Sequence, residues 1–384
     1  MKKLQDHLRI DLYSFKGTHG IWWYSGKMAI HFTPWAAIFF TLNAILLQPN
    51  LALGRTTGLK LGEDLEISSE ITIASGVTPA NSDTTTPGRP AIGFDGTNYL
   101  VVSCREIDSP TGIFGVIVSG EGVVLKTFHI AQLTPVFGCQ FPRPSIAFDG
   151  TNYLVVFQRE GQIIGVRVSP SGTVLDEPDG FAISSGTPFV VTNFSPAIAF
   201  DGTNYLVVWN KFIDGTHDIF GARVTPAGQV LNEFPIFRAL GGQVDPSVAF
   251  DGVSYLVIWS DTRSGSPVGP DADILGTRVT PAGVILDPEG NPISTAPGAQ
   301  ASPHVIFDGA NYFAVWEDTR NDPDVFPPRI DIFGTRIRPE GTLLDGPSDT
   351  GGIAINTASF PKQHPVASFD GTHYLAPPKI SWEF

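Results

Sequence analysis

The chain is short of cysteine and methionine and lacks the usual catalytic signatures. Its 384 residues include two cysteines and two methionines. Two cysteines cannot build a cysteine-only zinc site, and no histidine stands at ligand spacing beside them. No Gly-x-Ser-x-Gly elbow, His-Glu-x-x-His pair, phosphate-cradling P-loop or Gly-x-Gly-x-x-Gly turn occurs anywhere, which removes the commonest hydrolase, zincin and nucleotide-binding signatures. Charged residues make up only 16% of the chain and are skewed to acid, with 38 Asp and Glu against 24 Lys and Arg, a net −14. An acidic body disfavours nucleic acid and anionic membrane surfaces, and nucleic acid is excluded as a partner. What the chain has in quantity is apolar residues (42%), 41 glycines and 32 prolines, the composition of short buried strands joined by tight turns.

The first 54 residues differ from the rest. Lys27 and Met28 precede an apolar run from Ala36 to Leu47, and Ala52-Leu53-Gly54 follows. A basic segment, a short apolar core and a small-x-small site read as an export signal. Translation from Met28 gives the same pattern. The rival reading is an uncleaved anchor, because Trp35–Leu53 carries no charge and is close to the length of a membrane span. Either way, residues 1–54 form the export or anchor segment and 55–384 a body that is secreted or held at the cell surface. Membrane contact is then confined to an uncleaved N-terminus. Cys104 and Cys139 are the only cysteines, and in an exported chain an even count permits a disulfide.

A phrase recurs six times through the body. Its fullest form, at 198–209, is Ile-Ala-Phe-Asp-Gly-Thr-Asn-Tyr-Leu-Val-Val-Trp. The Phe-Asp-Gly core falls at Asp95, Asp149, Asp201, Asp251, Asp308 and Asp370, at intervals of 54, 52, 50, 57 and 62 residues. Pro90, Pro144, Pro196, Pro246, Pro303 and Pro365 each stand four residues before the repeat phenylalanine and are taken to open the first strand. Asp-Gly-Thr-Asn makes the hairpin turn, with glycine at positive φ and aspartate capping the turn backbone. The second strand is apolar on both faces, as in stacked sheets. A third strand of the form Ile-x-Gly-x-Arg-Val and a fourth containing Val-Leu-Asp complete the unit. Four antiparallel strands repeated radially give an all-β propeller, and the six units predict six blades. The last unit breaks off at Pro377-Pro378. Residues 58–75 echo the third and fourth strands, so the last blade is expected to combine both termini.

Six tyrosines, at 99, 153, 205, 255, 312 and 374, occupy one repeat position and read as inter-blade packing with each hydroxyl on a neighbouring backbone. Arg167, Arg223, Arg278 and Arg336 recur likewise and are expected to pair with a blade carboxylate or stack on an aromatic ring. The histidines beyond residue 54, at 129, 217, 304, 364 and 373, share no blade position and read as surface or turn residues.

The phrase Phe-Asp-Gly-Thr-Asn-Tyr-Leu-Val-Val-Trp, with Asp-Ile-Phe-Gly-x-Arg-Val and Pro-x-Gly-x-Val-Leu-Asp, resembles a repeat of secreted and cell-surface bacterial β-propeller proteins. The resemblance covers about residues 60–384. Most such proteins have no assigned activity, so it implies an extracellular propeller and no reaction.

The turns divide the unit into a constant and a variable face. Asp-Gly-Thr-Asn and Pro-x-Gly turns scarcely change, whereas the spans from strand two to strand three grow from Phe157–Ile163 through Trp209–Ile219 and Trp259–Ile274 to Trp316–Ile332. Scaffold turns stay constant while binding loops diversify, so the variable face is the expected site. Cys104 and Cys139 fall in loops of that face on neighbouring blades, close enough to be bonded. Asp261, Asp271 and Asp273, with Asp318, Asp322 and Asp324, concentrate carboxylates in its two longest loops and form a calcium candidate; no other cofactor is indicated. The innermost strands, read as starting at the prolines, hold no carboxylate, which counts against glycosidase chemistry. The sequence therefore points to a monomeric binding or scaffold module for an extracellular protein or carbohydrate. The alternative is a propeller hydrolase or lyase acting on polysaccharide.

Overall fold

A computed structural model describes residues 90–105, 111–133, 139, 143–178, 180–186, 192–263, 272–321, 329–357, 362–375 and 379–380. The export segment and residues 58–75 lie outside the described residues. Among those described, no helix is long and apolar enough to cross a membrane.

The chain forms five four-stranded antiparallel sheets in succession, each joined by hairpins in chain order. Blade 1 is Ala91–Phe94 (β1), Asn98–Arg105 (β2), Gly112–Ser119 (β3) and Val124–Gln132 (β4). Blade 2 is Ser145–Phe148 (β5), Tyr153–Arg159 (β6), Gln162–Val168 (β7) and Phe181–Ala182 (β8). Blade 3 is Asn193–Phe200 (β9), Tyr205–Ile213 (β10), Thr216–Val224 (β11) and Val230–Phe237 (β12). Blade 4 is Gln243–Phe250 (β13), Tyr255–Asp261 (β14), Asp273–Val279 (β15) and Asn291–Ser294 (β16). Blade 5 is Gln300–Phe307 (β17), Tyr312–Asp318 (β18), Asp331–Ile337 (β19) and Ile353–Asn356 (β20). A sixth unit contributes one interrupted hairpin: Lys362–Gln363 (β21) pairs with Lys379–Ile380 (β24), and Ser368–Phe369 (β22) with Tyr374–Leu375 (β23). The fold is a β-propeller.

The repeat positions act as the turn chemistry demands. Each of the six Phe-Asp-Gly aspartates accepts backbone N–H bonds from the residues two and three further on, as Asp201 does from Thr203 and Asn204 at 2.7 Å. The glycine beside it has φ near +95° throughout, +92° at Gly202, a conformation costly for any residue with a Cβ. Successive tyrosines staple blade to blade. The Tyr255 hydroxyl donates to Asn204 O at 3.2 Å and that of Tyr312 to Ser254 O at 2.8 Å, while Tyr374 of the sixth unit donates to Asp308 of blade 5. Burial, and then the neighbouring repeat aspartate, pushes the Tyr255 phenol far above its ordinary range. Between blades the second strands supply the core. Trp209 packs with blade 2, and Leu206 and Val208 on the opposite face pack with Tyr255, Val257 and Trp259 of blade 4.

The recurring arginines grip the segment that leads from the third strand into the fourth. Arg167, Arg278 and Arg336 bind Asp176, Asp287 and Asp345 through two guanidinium nitrogens, and each backbone N–H adds a bond to the same carboxylate. Hydrogen bonds from the arginines hold Asp287 and Asp345 below the usual carboxylate range. Blade 3 departs from this pattern. Asn232 stands opposite Arg223, and the buried Arg223 Nε has no hydrogen-bond partner.

The face of blade 1 turned away from blade 2 is also buried, with Val101 at 6% and Val116 and Val118 at 1% exposure. Cys104 and Cys139 are bonded, with Cα atoms 5.5 Å apart. Cys104 lies within β2 rather than in a loop and packs in the core between blades 1 and 2.

Candidate functional site

The innermost strands of blades 3, 4 and 5 start upstream of the repeat prolines, contrary to the expectation from sequence, and each carries a two-residue bulge at the proline. In blade 4, Val244 pairs with Ser260 and Ser247 with Ile258, leaving Asp245-Pro246 opposite Trp259. Ser302-Pro303 stands in the same way opposite Trp316. Proline cannot donate to a ladder and is tolerated on a strand that is the inner edge of its sheet; the extra residue re-aims its neighbour's side chain.

The residue before each of the five repeat prolines from Pro144 to Pro365 is left-handed. Arg143, Ser195, Asp245, Ser302 and His364 have φ of 27°, 50°, 50°, 50° and 54°. Such conformations in residues with side chains cost about 1–3 kcal/mol each and collect at functional sites. These five positions hold four polar side-chain types, with serine twice, while the proline that follows each is constant.

Their side chains converge across the channel. Arg143 Nη1 of blade 2 donates to Asp245 Oδ1 of blade 4 at 2.6 Å and to Ser195 Oγ of blade 3 at 2.9 Å, and Ser195 Oγ donates to the same Asp245 oxygen at 2.8 Å. An ion pair that skips a blade must span the space the blades enclose. Both partners keep access to water, the arginine 39% and the aspartate 29% exposed. On the other side, His364 donates its backbone N–H to Glu317 Oε1 of blade 5. Its Nδ1 lies 3.1 Å from Ser302 Oγ and 3.2 Å from Glu317 Oε1. Serine and glutamate meet the same ring nitrogen, so the three cannot work as a nucleophile–base–orienter relay, which needs the two ring nitrogens to face different partners. Deeper in the channel wall, His304 Nδ1 accepts from Ala367 N–H at 3.1 Å. Protein surrounds most of that ring, and desolvation lowers its pKa to about 4.

Beside this ring stands an aromatic group on blade 3. β10 and β11 run on past their counterparts in blade 2 as one hairpin, pairing Phe212 with His217 and Asn210 with Ile219, while Asn210 also faces Phe194 of β9. The His217 ring lies 5.1 Å from Phe212 and 5.5 Å from Phe194, and its Nδ1 is 3.0 Å from Asn210 Nδ2. Burial lowers the His217 pKa, partly offset by the carboxylates of Asp218 and Asp245. Phe212 is 44% exposed. Three of the five histidines read as surface or turn residues, His217, His304 and His364, therefore belong to the channel and its rim.

The acidic positions chosen from sequence are arranged differently. Asp261, Asp273 and Asp318 are strand residues, Asp261 opposite Asp273 and Asp318 opposite Asp331. The Asp261 carboxylate is fully buried and taken up by Trp259 Nε1, the Arg263 guanidinium and the Arg263 N–H, at 2.8–3.0 Å. Asp318 repeats this with Trp316 and Arg320. These two carboxylates lock the start of the long loops. Asp271, Asp322 and Asp324 lie outside the described residues, and among those described no group of three or more His, Cys, Asp or Glu is placed to hold a metal ion. A pattern visible in the sequence, Trp-x-Asp-Thr-Arg at 259–263 and 316–320, marks this structural use.

No protein-family model matches the chain, and no curated protein matches it. Among solved structures it is similar to a thermostable family-43 glycoside hydrolase, at 15% identity and a TM-score of 0.45, covering 73% of this chain and 99% of that one. It is similar also to alpha-L-arabinofuranosidase from Lactobacillus brevis, at 13% identity and 0.42 over 70% and 97%. A third is endo-1,4-beta-xylanase from Bacteroides thetaiotaomicron, at 16% and 0.43 over 69% and 96%. Likeness at this level assigns no residue or activity to this chain, and the propeller rests on its own sheet topology.

Proposed function

We propose that this is an extracellular propeller that binds a glycan at the channel mouth on its variable face. The observation that carries the reading is the ring of bulged, left-handed residues. Arg143, Ser195, Asp245, Ser302 and His364, each followed by a constant repeat proline, are held in strained conformations and bring four polar side-chain types together. Together they offer donors and acceptors, with an exposed aromatic ring alongside, and a concave site with a few placed polar groups and aromatic walls is how small ligands are held. An exported chain suits the Cys104–Cys139 disulfide, because such bonds persist in oxidising compartments.

A second reading, polysaccharide hydrolysis, draws on one specific feature. Asp245 and Glu317 place two carboxylates at the same mouth, the minimum for glycosidic bond cleavage. Each is engaged, Asp245 by Arg143 and Ser195 and Glu317 by His364, which fits positioning better than proton transfer.

A glycan array probed with the purified protein tests both. Binding to a polysaccharide without release of reducing ends is expected, and it should weaken in Arg143→Ala. Reducing-end release that disappears in Asp245→Asn or Glu317→Gln would replace binding with hydrolysis. Capture of a protein and of no glycan would reject the carbohydrate reading.

A further inference from the structure

The two faces of β10 have different neighbours. Leu206 and Val208 pack on blade 4, and in a strand the same face continues at every second residue. Asn210 and Phe212 are the next two positions on that face, with no irregularity in the β10–β11 pairing. His217, opposite Phe212, and Phe194, opposite Asn210, share it. The hydrophobic wall between blades 3 and 4 therefore ends, at the variable face, in a Phe194–His217–Phe212 cluster. This cluster adjoins the channel ring on two counts. Ser195 follows Phe194 directly and bonds Asp245, and His217 lies close enough to Asp245 to feel its charge.

The chemistry of this corner is specific. Phe212 presents an apolar ring to solvent and packs on His217, which in turn feels the charge of Asp245, the carboxylate bonded by Ser195 and Arg143. Arg143 and Asp245 answer each other's charge at 2.6 Å, and Asp218, which also acts on His217, is paired with Arg238 at 2.8 Å. Burial keeps His217 uncharged at neutral pH. Asn210 is 3% exposed, and its amide is held in place by His217 while its other polar atom has no partner. Asn210 thus fixes the imidazole as a positioning residue. A ligand here meets hydrogen-bonding groups and an aromatic face, but no uncompensated charge.

We infer that the corner between blades 3 and 4 is a subsite for one uncharged sugar residue, its apolar face stacked on Phe212 and its hydroxyls bridging the Arg143–Asp245 pair. The inference rests on the channel mouth being a glycan site. It adds the element that selects the ligand and predicts discrimination against uronates and other acidic sugars, whose carboxylate would have to displace Asp245 from Arg143.

Calorimetric titration with neutral hexasaccharides (gluco-, xylo-, arabino- and manno-series) and with hexagalacturonate tests it. The wild-type protein should bind at least one neutral hexasaccharide and not the uronate. Phe212→Ala should weaken that binding about tenfold, the scale of one lost stacking contact, and Phe212→Trp should restore it. Because Phe212 is exposed, folding of both variants is checked by unchanged melting. Val253→Ala, a 78% exposed residue in the Asp-Gly turn of the opposite face, should leave the affinity within about twofold, well below one stacking contact. Neutral-glycan binding that is indifferent to both Phe212 variants overturns the subsite and leaves the channel reading standing. A preference for hexagalacturonate overturns the uncharged assignment. A wild-type protein that binds no glycan overturns the reading beneath it as well.

Discussion

His304 gives the fold a measurable acid sensitivity. Its Nδ1 accepts a bond from Ala367 N–H, joining the inner strand of blade 5 to the sixth unit, where the propeller must close. In the folded protein its pKa is lowered to about 4 by desolvation, from an ordinary 6.5. The unfolded chain therefore binds a proton that the folded protein refuses between pH 6.5 and about 4. Stability is full above the upper value and falls as pH drops through this window. Protonation also turns Nδ1 into a donor facing another donor. The full shift corresponds to about 3 kcal/mol, and since the ring keeps some contact with the channel water, about 2 kcal/mol is expected. At roughly 2 cal/mol/K of unfolding entropy per residue, that is about 3 °C in Tm. His304→Asn keeps an acceptor near Nδ1 and cannot charge. Thermal melts from pH 7.5 to 4.5 should find the variant and the wild type close at the upper pH, and the variant about 3 °C more stable at the lower. Parallel pH profiles would refute the reasoning, because His217 and the carboxylates titrate equally in both proteins.

Three further expectations follow from the same structure. Reducing the Cys104–Cys139 bond, which closes a separation of 35 residues, should cost about 4 kcal/mol on chain-entropy grounds and lower Tm by about 6 °C; reduced protein that melts unchanged would contradict this. Asn232→Asp should supply blade 3 with the carboxylate that Arg223 lacks and gain about 1 kcal/mol, as a partly exposed pair allows, read as a higher denaturant midpoint at constant slope. Asp287→Asn, which leaves Arg278 without its charged partner, should lose about 1–2 kcal/mol at pH 7. It should lose little below the depressed Asp287 pKa, where the wild type is protonated too.

The constant positions of the repeat were legible in the sequence because each performs one local task. An Asp-Gly turn, a tyrosine reaching the previous blade and an arginine nine residues before an aspartate need no knowledge of distant chain. The site was harder to see for a physical reason. A residue before proline is expected to be extended or in a turn, so the inner strands were placed downstream of Pro196, Pro246 and Pro303 and were read as lacking carboxylates. The structure continues each strand through a bulge, and Asp245 enters the channel at a left-handed residue. The signal was present as a polar residue of changing type immediately before the constant proline. Two of the acidic residues have a local use that the sequence also carried: Asp261 and Asp318 lie two residues beyond a tryptophan and two before an arginine, and both neighbours claim the carboxylate.

Hydrogen exchange measured with and without a saturating glycan, chosen from the array, tests the channel-mouth site most directly. Slowed exchange is expected in 193–197, 243–247 and 300–304, the bulged stretches of three inner strands, and along the 210–217 hairpin. Protection confined to the Asp-Gly-Thr-Asn turns at 95–98, 149–152 and 201–204, on the opposite face, would contradict it.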